Sequence, residues 1–279
     1  EIIQSAKTAI FFIDENQQVT IHDIGSLEAI RSWAKKAGAE VTEMTLASQF
    51  RCNGSDGYLA WVDDVLQIRE TANTDLTGID YDCQVFDDPN AMRRAIEDLN
   101  DKNGKSRLVA GYCWQWQSKK DPKVQDVVIE EHDFAMRWNL TEDGSLWLIK
   151  PDSVSEVGCI HTCQGLELDY VGVIIGPDLV VRDGQVVTDA TKRARYDQSV
   201  LGFATLRAEN PEEAERLADR IIKNTYRTLM TRGMKGCFIY ATDPETANYF
   251  KDRLVSPNMA ALESESPMLK VAEPPESYE

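Results

Sequence analysis

The sequence predicts an α/β fold built on a central parallel sheet, and three stretches carry that expectation. Cys83-Gln84-Val85-Phe86, a helix opened by Pro89 and running through Leu99, and Arg107–Tyr112 read as strand, helix and strand, the βαβ unit of a parallel sheet. Val157–Gly176 is an apolar run, a polar turn around Gly165 and a β-branched run, which is two strands joined by a short helix. Gly236–Ala241 is a further strand, following a long amphipathic stretch that begins at Pro211. The second stretch concentrates His161, Thr162, Gln164 and Glu167 within one turn of a glycine, at the carboxyl end of a buried strand. Ligands bind at such places in open α/β sheets, although an ordinary βα loop with a helix cap has the same text.

Composition bounds the class. A chain of 279 residues with 42% hydrophobic content holds enough apolar material for a core, in one large domain or two ordinary ones. No run approaches the ~18 apolar residues of a membrane span, and the first residues lack the pattern of a signal peptide. The six cysteines are scattered without metal-ligand spacing, which fits free thiols in a reducing cytoplasm. A net charge of −17 argues against binding nucleic acid through bulk charge but leaves room for a local basic groove.

In chain order, Ala9–Ile13 reads as a buried strand ending at Asp14-Glu15-Asn16-Gln17. Two acids at a strand end suit Mg²⁺ binding by the first and positioning of a hydrolytic water by the second, and an acidic turn gives the same pattern. Gly25–Ala37 has helical spacing with Leu27, Ile30, Trp33 and Ala34 on one face, stopped by Gly38. Val41–Leu46 alternates as a strand, and Gln49-Phe50-Arg51-Cys52-Asn53-Gly54-Ser55 places an arginine in a loop suited to a phosphate. Ser55 caps the helix that follows.

Trp114 and Trp116 follow a strand end, where they suit either stacking on unpaired bases or a place in the core. Asp183-Gly184 between two short apolar runs signals a hairpin. Lys192, Arg193 and Arg195 form the densest basic cluster, either a solvated face or a nucleic-acid contact.

The order of these signals resembles the motifs of superfamily 1 RecA-like helicases. Phe12–Gln17 resembles motif II, Leu46 with Gln49-Phe50-Arg51 motif IV, His161–Glu167 motif V, and Tyr226–Gly233 motif VI. The phrases Gln-Phe-Arg-Cys, Ala-Gly-Tyr-Cys-Trp and His-Thr-Cys-Gln-Gly-Leu-Glu are similar to those of the bacterial Schlafen-like DNA/RNA helicase family, across residues 10 to 254.

The resemblance implies a RecA-like P-loop NTPase fold using ATP and Mg²⁺ on single-stranded DNA or RNA. Asp14 would hold the metal, Glu15 the water, and Arg51 and Arg232 would stabilise the transferred phosphoryl group. Gln17, Gln49, Gly165, Glu167 and Arg227 would meet the nucleotide. His161, Thr162, Trp114, Trp116 and Arg193 would meet the nucleic acid. Arg232 is expected to leave its helix near the cleft, solvated or paired with Glu167.

The implied organisation is a partial first RecA-like domain over residues 1–70 and a linker over 71–82. A second RecA-like domain follows over 83–254, with insertions at 118–152 and 177–210, and an acidic mobile tail closes the chain over 255–279. No Gly-x-x-x-x-Gly-Lys-[Ser/Thr] loop occurs in the sequence, and motif III is weak at Asp23-Ile24-Gly25-Ser26. Two readings fit that departure. The chain is the carboxyl-terminal portion of an ATP-dependent helicase or translocase, inactive in ATP hydrolysis without its phosphate loop. Alternatively it is a non-catalytic RecA-like module that binds nucleotide or a partner.

Overall fold

The computed structural model describes residues 1–23, 25–45, 51–139, 147–163 and 165–254, with Asn16, Arg51 and Pro151 described by backbone alone. Nine strands occur among them: β1 (Asp82–Val85), β2 (Ser106–Ala110), β3 (Val127–Ile129), β4 (Phe134–Trp138), β5 (Glu156–Gly158), β6 (Leu168–Ile175), β7 (Leu179–Arg182), β8 (Gln185–Thr188) and β9 (Gly233–Ala241). Seven of them form one sheet in the order β1-β9-β6-β2-β5-β4-β3, parallel throughout except at β3–β4. The helices are α1 (Ile2–Ser5), α2 (Leu27–Lys36), α3 (Asp56–Val65), α4 (Pro89–Asn103), α5 (Ile160–Cys163), α6 (Phe203–Glu209), α7 (Pro211–Met230) and α8 (Pro244–Asp252). The mostly parallel sheet flanked by helices agrees with the α/β expectation and is consistent with a RecA-like fold.

A parallel sheet is covered on both faces, so its strands are apolar on both. On β6, Val171, Val173 and Ile175 join one buried cluster with Tyr58 and Trp61 of α3, Ile222 and Leu229 of α7, and Phe250 of α8. Ile174 enters the opposite cluster with Leu108, Phe238 and Met92 and Ile96 of α4. Gly172 allows that second layer to approach, because a Cβ there would lie 2.5 Å from Leu108 and 3.0 Å from Ile96.

Helix ends follow local chemistry. Asp88 caps α4 by accepting from the Asn90 and Ala91 amides, Pro89 opens the helix, and Gly104 closes it at φ 72°. Asn210 with Pro211 opens α7, and Asp243 with Pro244 opens α8, in the same way. In the β7–β8 hairpin, Asp183 and Gly184 both take positive φ, the twist a two-residue turn requires.

Three expectations differ from the structure. Ala9–Ile13 is not a strand, and Ile10 and Phe12 are 77% and 85% exposed. Its text fits a strand, but no strand among the described residues pairs with it, and pairing and burial decide such segments. Val41–Thr45 likewise forms no strand, and Leu46, the last residue of that expected strand, lies outside the described residues. On α2 only Ala34 is buried, and Leu27 and Trp33 are exposed. Within residues 118–152, β3 and β4 are short strands, and β4 pairs in parallel with β5 in the main sheet.

Candidate nucleic-acid groove and nucleotide edge

Residues 159–163 and 165–167 lie between the carboxyl end of β5 and the amino end of β6. At the amino end lies the close of α7. Arg232 is only 6% exposed, and its guanidinium donates to the carbonyls of Thr228 at 3.0 Å and Leu166 at 3.3 Å. The Arg232 carbonyl in turn accepts from the Leu168 amide at 3.0 Å. The turn Arg51–Gly54 docks on the same helix end. There the Cys52 thiol lies 3.8 Å from the Thr231 carbonyl, and the Tyr58 hydroxyl donates to the Met230 carbonyl at 3.0 Å. The turn holding Cys52, the segment holding Leu166 and the helix end holding Arg232 therefore meet at one place.

The expected pairing of Arg232 with Glu167 is corrected by this geometry. Glu167 is exposed, and Arg232 is buried against main-chain carbonyls. The last turn of a helix and the turn beside it offer carbonyl acceptors that suit a guanidinium.

At the carboxyl end, an open groove of about 1310 Å³ lies over the ends of β2 and β5. Its lining includes Trp116, Lys119 and Lys120, His161 and Thr162 of α5, and Tyr196. Thr162 donates its hydroxyl to Asn139 Oδ1 at 2.8 Å, which fixes that side of α5 to the end of β4. Gly165 also reaches the groove. Its φ is +86° and a Cβ would meet nothing within 4 Å, so glycine serves the backbone conformation there and not clearance.

Behind the groove sits a buried charge network. Arg193, with a fully buried side chain, pairs with Asp178 at 2.9 Å and with Asp197. Asp178 also accepts from the Tyr226 hydroxyl of α7, and that hydroxyl accepts from the Gly176 amide at 2.9 Å. His161 Nε2 stands 3.9 Å from Asp197 Oδ1. Burial by itself would raise the Asp197 carboxyl, but His161, the Arg193 charge and bonds from Ser199 outweigh it and hold the pKa at about 2.

The family model described as Schlafen group 3, DNA/RNA helicase domain matches residues 1–243. The chain belongs to this Schlafen helicase-domain family. A Saccharomyces cerevisiae protein described as uncharacterized is 29% identical over 230 residues, which is 77% of this chain and 48% of that protein. The chain thus spans about half the length of the curated relative it matches. No solved structure matches it. The family description is of a DNA/RNA helicase domain.

In this Schlafen-family chain the remaining expected site residues are distributed as follows. Asp14 and Glu15 are exposed. Asp14 accepts from Gln17 Nε2 at 2.6 Å, and Glu15 Oε1 accepts from the Leu27 amide at 3.0 Å. Asn224 of α7 donates to the carbonyl of Gln18 at 3.0 Å, which seats this turn on the helix that ends at Arg232. Gln49 lies outside the described residues, as does the side chain of Arg51.

Three of the expected site residues are engaged elsewhere in the fold. Arg227 pairs with Asp63 at 2.5 Å and ties α7 to α3. Trp114 packs edge-on against Trp138 and donates its indole N–H to the Val128 carbonyl at 3.1 Å, so it lines a smaller cavity and not the groove. Arg193 is withdrawn from solvent because two buried carboxylates compensate its charge. Sequence reasoning missed Tyr196 and Asp197. The only signal was their place beside the basic cluster, which drew attention to the arginines instead.

Among the described residues no group of three or more His, Cys, Asp or Glu side chains forms a metal site, and no helix is long and apolar enough to cross a membrane. All six cysteines are free thiols.

Proposed function

We propose that this chain is the carboxyl-terminal portion of an ATP-dependent DNA or RNA helicase or translocase. It supplies the motif II, IV, V and VI side of the ATP cleft and a groove for a single strand. The observation that carries the reading is the placing of His161, Thr162 and Leu166 in the segment between β5 and β6. Through Leu166 it holds Arg232 at the edge assigned to nucleotide, and through His161 and Thr162 it lines the groove assigned to nucleic acid. Coverage of 48% of the yeast relative and the lack of a Gly-x-x-x-x-Gly-Lys-[Ser/Thr] loop support a division of the cleft with a segment beyond this sequence.

The residues present fit Mg²⁺ with ATP. Mg²⁺ takes one or two carboxylates together with water and phosphate oxygens, and Asp14 offers one exposed carboxylate beside Glu15. The metal bound to ATP neutralises charge on the phosphates. Asp14 is assigned to hold it, Glu15 to orient the attacking water, and Arg51 and Arg232 to stabilise the charge that develops on the phosphoryl oxygens. Gln17, Gln49, Gly165 and Glu167 complete the nucleotide edge in this assignment, and a soluble cytoplasmic setting is proposed with it.

The test is steady-state ATP hydrolysis with and without a single strand. The chain alone is expected to give no useful turnover, for want of backbone amides and a lysine around the β- and γ-phosphates. The protein joined to its phosphate loop is expected to hydrolyse ATP and to lose that activity in Glu15→Gln. Strong turnover by the chain alone, abolished in Glu15→Gln, would show that a phosphate site exists elsewhere in it and overturn the division of the cleft.

A further inference from the structure

We propose that the groove is a two-walled clamp for unpaired bases, with Trp116 as one wall and Tyr196 as the other. This rests on the reading of the groove as a nucleic-acid site and deepens it by naming what the site recognises.

Each wall is an aromatic ring with a cation beside it. Lys119 lies over the Trp116 ring at 5.8 Å from its centroid, and Arg195 lies over the Tyr196 ring at 5.6 Å. Tyr196 is 70% exposed beside exposed Arg195 and Gln198, on a segment anchored by buried Arg193, Ala194, Asp197 and Ser199. Its ring lines the groove, and an aromatic side chain exposed in a concave site suits a contact surface.

The two walls are built as one unit. The Ala194 amide donates to the Tyr112 carbonyl at 2.8 Å, and the Asp197 amide donates to the Ala194 carbonyl at 2.9 Å. The Tyr112 ring meets Trp116 edge-on at 6.4 Å and stacks on the buried Trp138 at 5.2 Å. Tyr112 thus supports Trp116 through its ring and the Tyr196 segment through its carbonyl. The ion pairs of Arg193 with Asp178 and Asp197 fasten the same segment from behind.

The chemistry of this arrangement selects bases over duplex. Base–aromatic stacking requires a free π-face, which a single strand offers and a paired stack hides, and it tolerates any base. The cations beside the rings add to it and meet the backbone phosphates. The overall charge of −17 leaves little affinity for nucleic acid outside such a local site.

The experiment is fluorescence anisotropy of the chain with three labelled probes of equal length: a thymidine single strand, the same strand with abasic sites, and a blunt duplex. Wild type is expected to bind the thymidine strand more tightly than the other two. Tyr196→Ala should weaken the thymidine strand by about tenfold and leave the abasic strand unchanged, whereas Tyr196→Phe should bind like wild type. Tyr196→Ala that weakens neither strand, or both equally, overturns the clamp while the groove stands. Equal wild-type affinity for all three probes also overturns it. A wild type that binds no probe overturns the groove reading itself. Circular dichroism of Tyr196→Ala, expected to match wild type, separates lost contact from lost fold.

Discussion

Arg232 holds the carbonyl of Leu166, and the Leu168 amide holds the carbonyl of Arg232. This reciprocal pair locks the end of α7 to the start of β6, so the arginine assigned to the nucleotide cannot shift without pulling the segment that carries His161.

Replacing that arginine should therefore have two separable effects. Arg232→Ala removes two charge-assisted bonds to carbonyls and is expected to lower stability by about 1.5–3 kcal/mol in chemical denaturation. In the protein joined to its phosphate loop it should reduce ATP turnover by roughly 10³–10⁵ with nucleotide affinity nearly kept, because its charge acts mainly in the transition state. Arg232→Lys should restore little, since one ammonium does not reproduce the planar fork. Near wild-type turnover in Arg232→Ala would remove the motif VI assignment.

The Arg193 network sets a pH dependence. The Asp197 carboxyl is held at about 2, below its ordinary value of 3.8. A depressed carboxylate contributes stability above its unfolded pKa, and that contribution is lost as pH falls through the folded value. Stability should therefore decline between about pH 4 and pH 2, with Asp197 supplying on the order of 2 kcal/mol of the change. Thermal melts across that range should show a shallower decline in Asp197→Asn than in wild type. Arg193→Met should be destabilised by about 3–5 kcal/mol at neutral pH, because it leaves two buried carboxylates uncompensated.

Gly111 tests how closely the network is packed. A Cβ at this position would overlap the Tyr226 hydroxyl, which is bonded to Asp178 and the Gly176 amide. Gly111→Ala is expected to lower the melting temperature sharply, and Gly111→Ala with Tyr226→Phe to recover part of the loss. An unchanged melt in Gly111→Ala would contradict the packing at the end of β2.

The salt dependence of binding should report the lysines. Lys119→Gln with Lys120→Gln should reduce the slope of log affinity against log salt for a single strand by about 1.4, two phosphate contacts at about 0.7 each. An unchanged slope would place the phosphate path elsewhere.

Much of the fold was legible because local chemistry and packing agree. Pro89 with Gly104, Pro211 and the Asp183-Gly184 turn mark their elements, and β6 and β9 read as buried strands. The segment Ala9–Ile13 misled because its text states a strand while strand formation needs a neighbour. Trp114 and Arg193 misled for a related reason. Composition shows which side chains can bind bases or phosphates, but an indole that finds the Val128 carbonyl and a guanidinium that finds two aspartates are used up inside the protein. Tyr196 was invisible to pattern because a lone tyrosine beside a basic cluster carries no periodicity that tells an exposed ring from a buried one.

The central claim is that nucleic acid lies in the groove over β2 and β5. Photocrosslinking answers it most directly: the chain is irradiated with a single strand carrying 4-thiothymidine, digested, and the modified peptides are identified by mass spectrometry. The account predicts crosslinks on the peptides holding Trp116, His161 and Tyr196, reduced by unlabelled competitor strand. Competed crosslinks confined to other parts of the chain, such as the exposed stretch around Phe12, would contradict it.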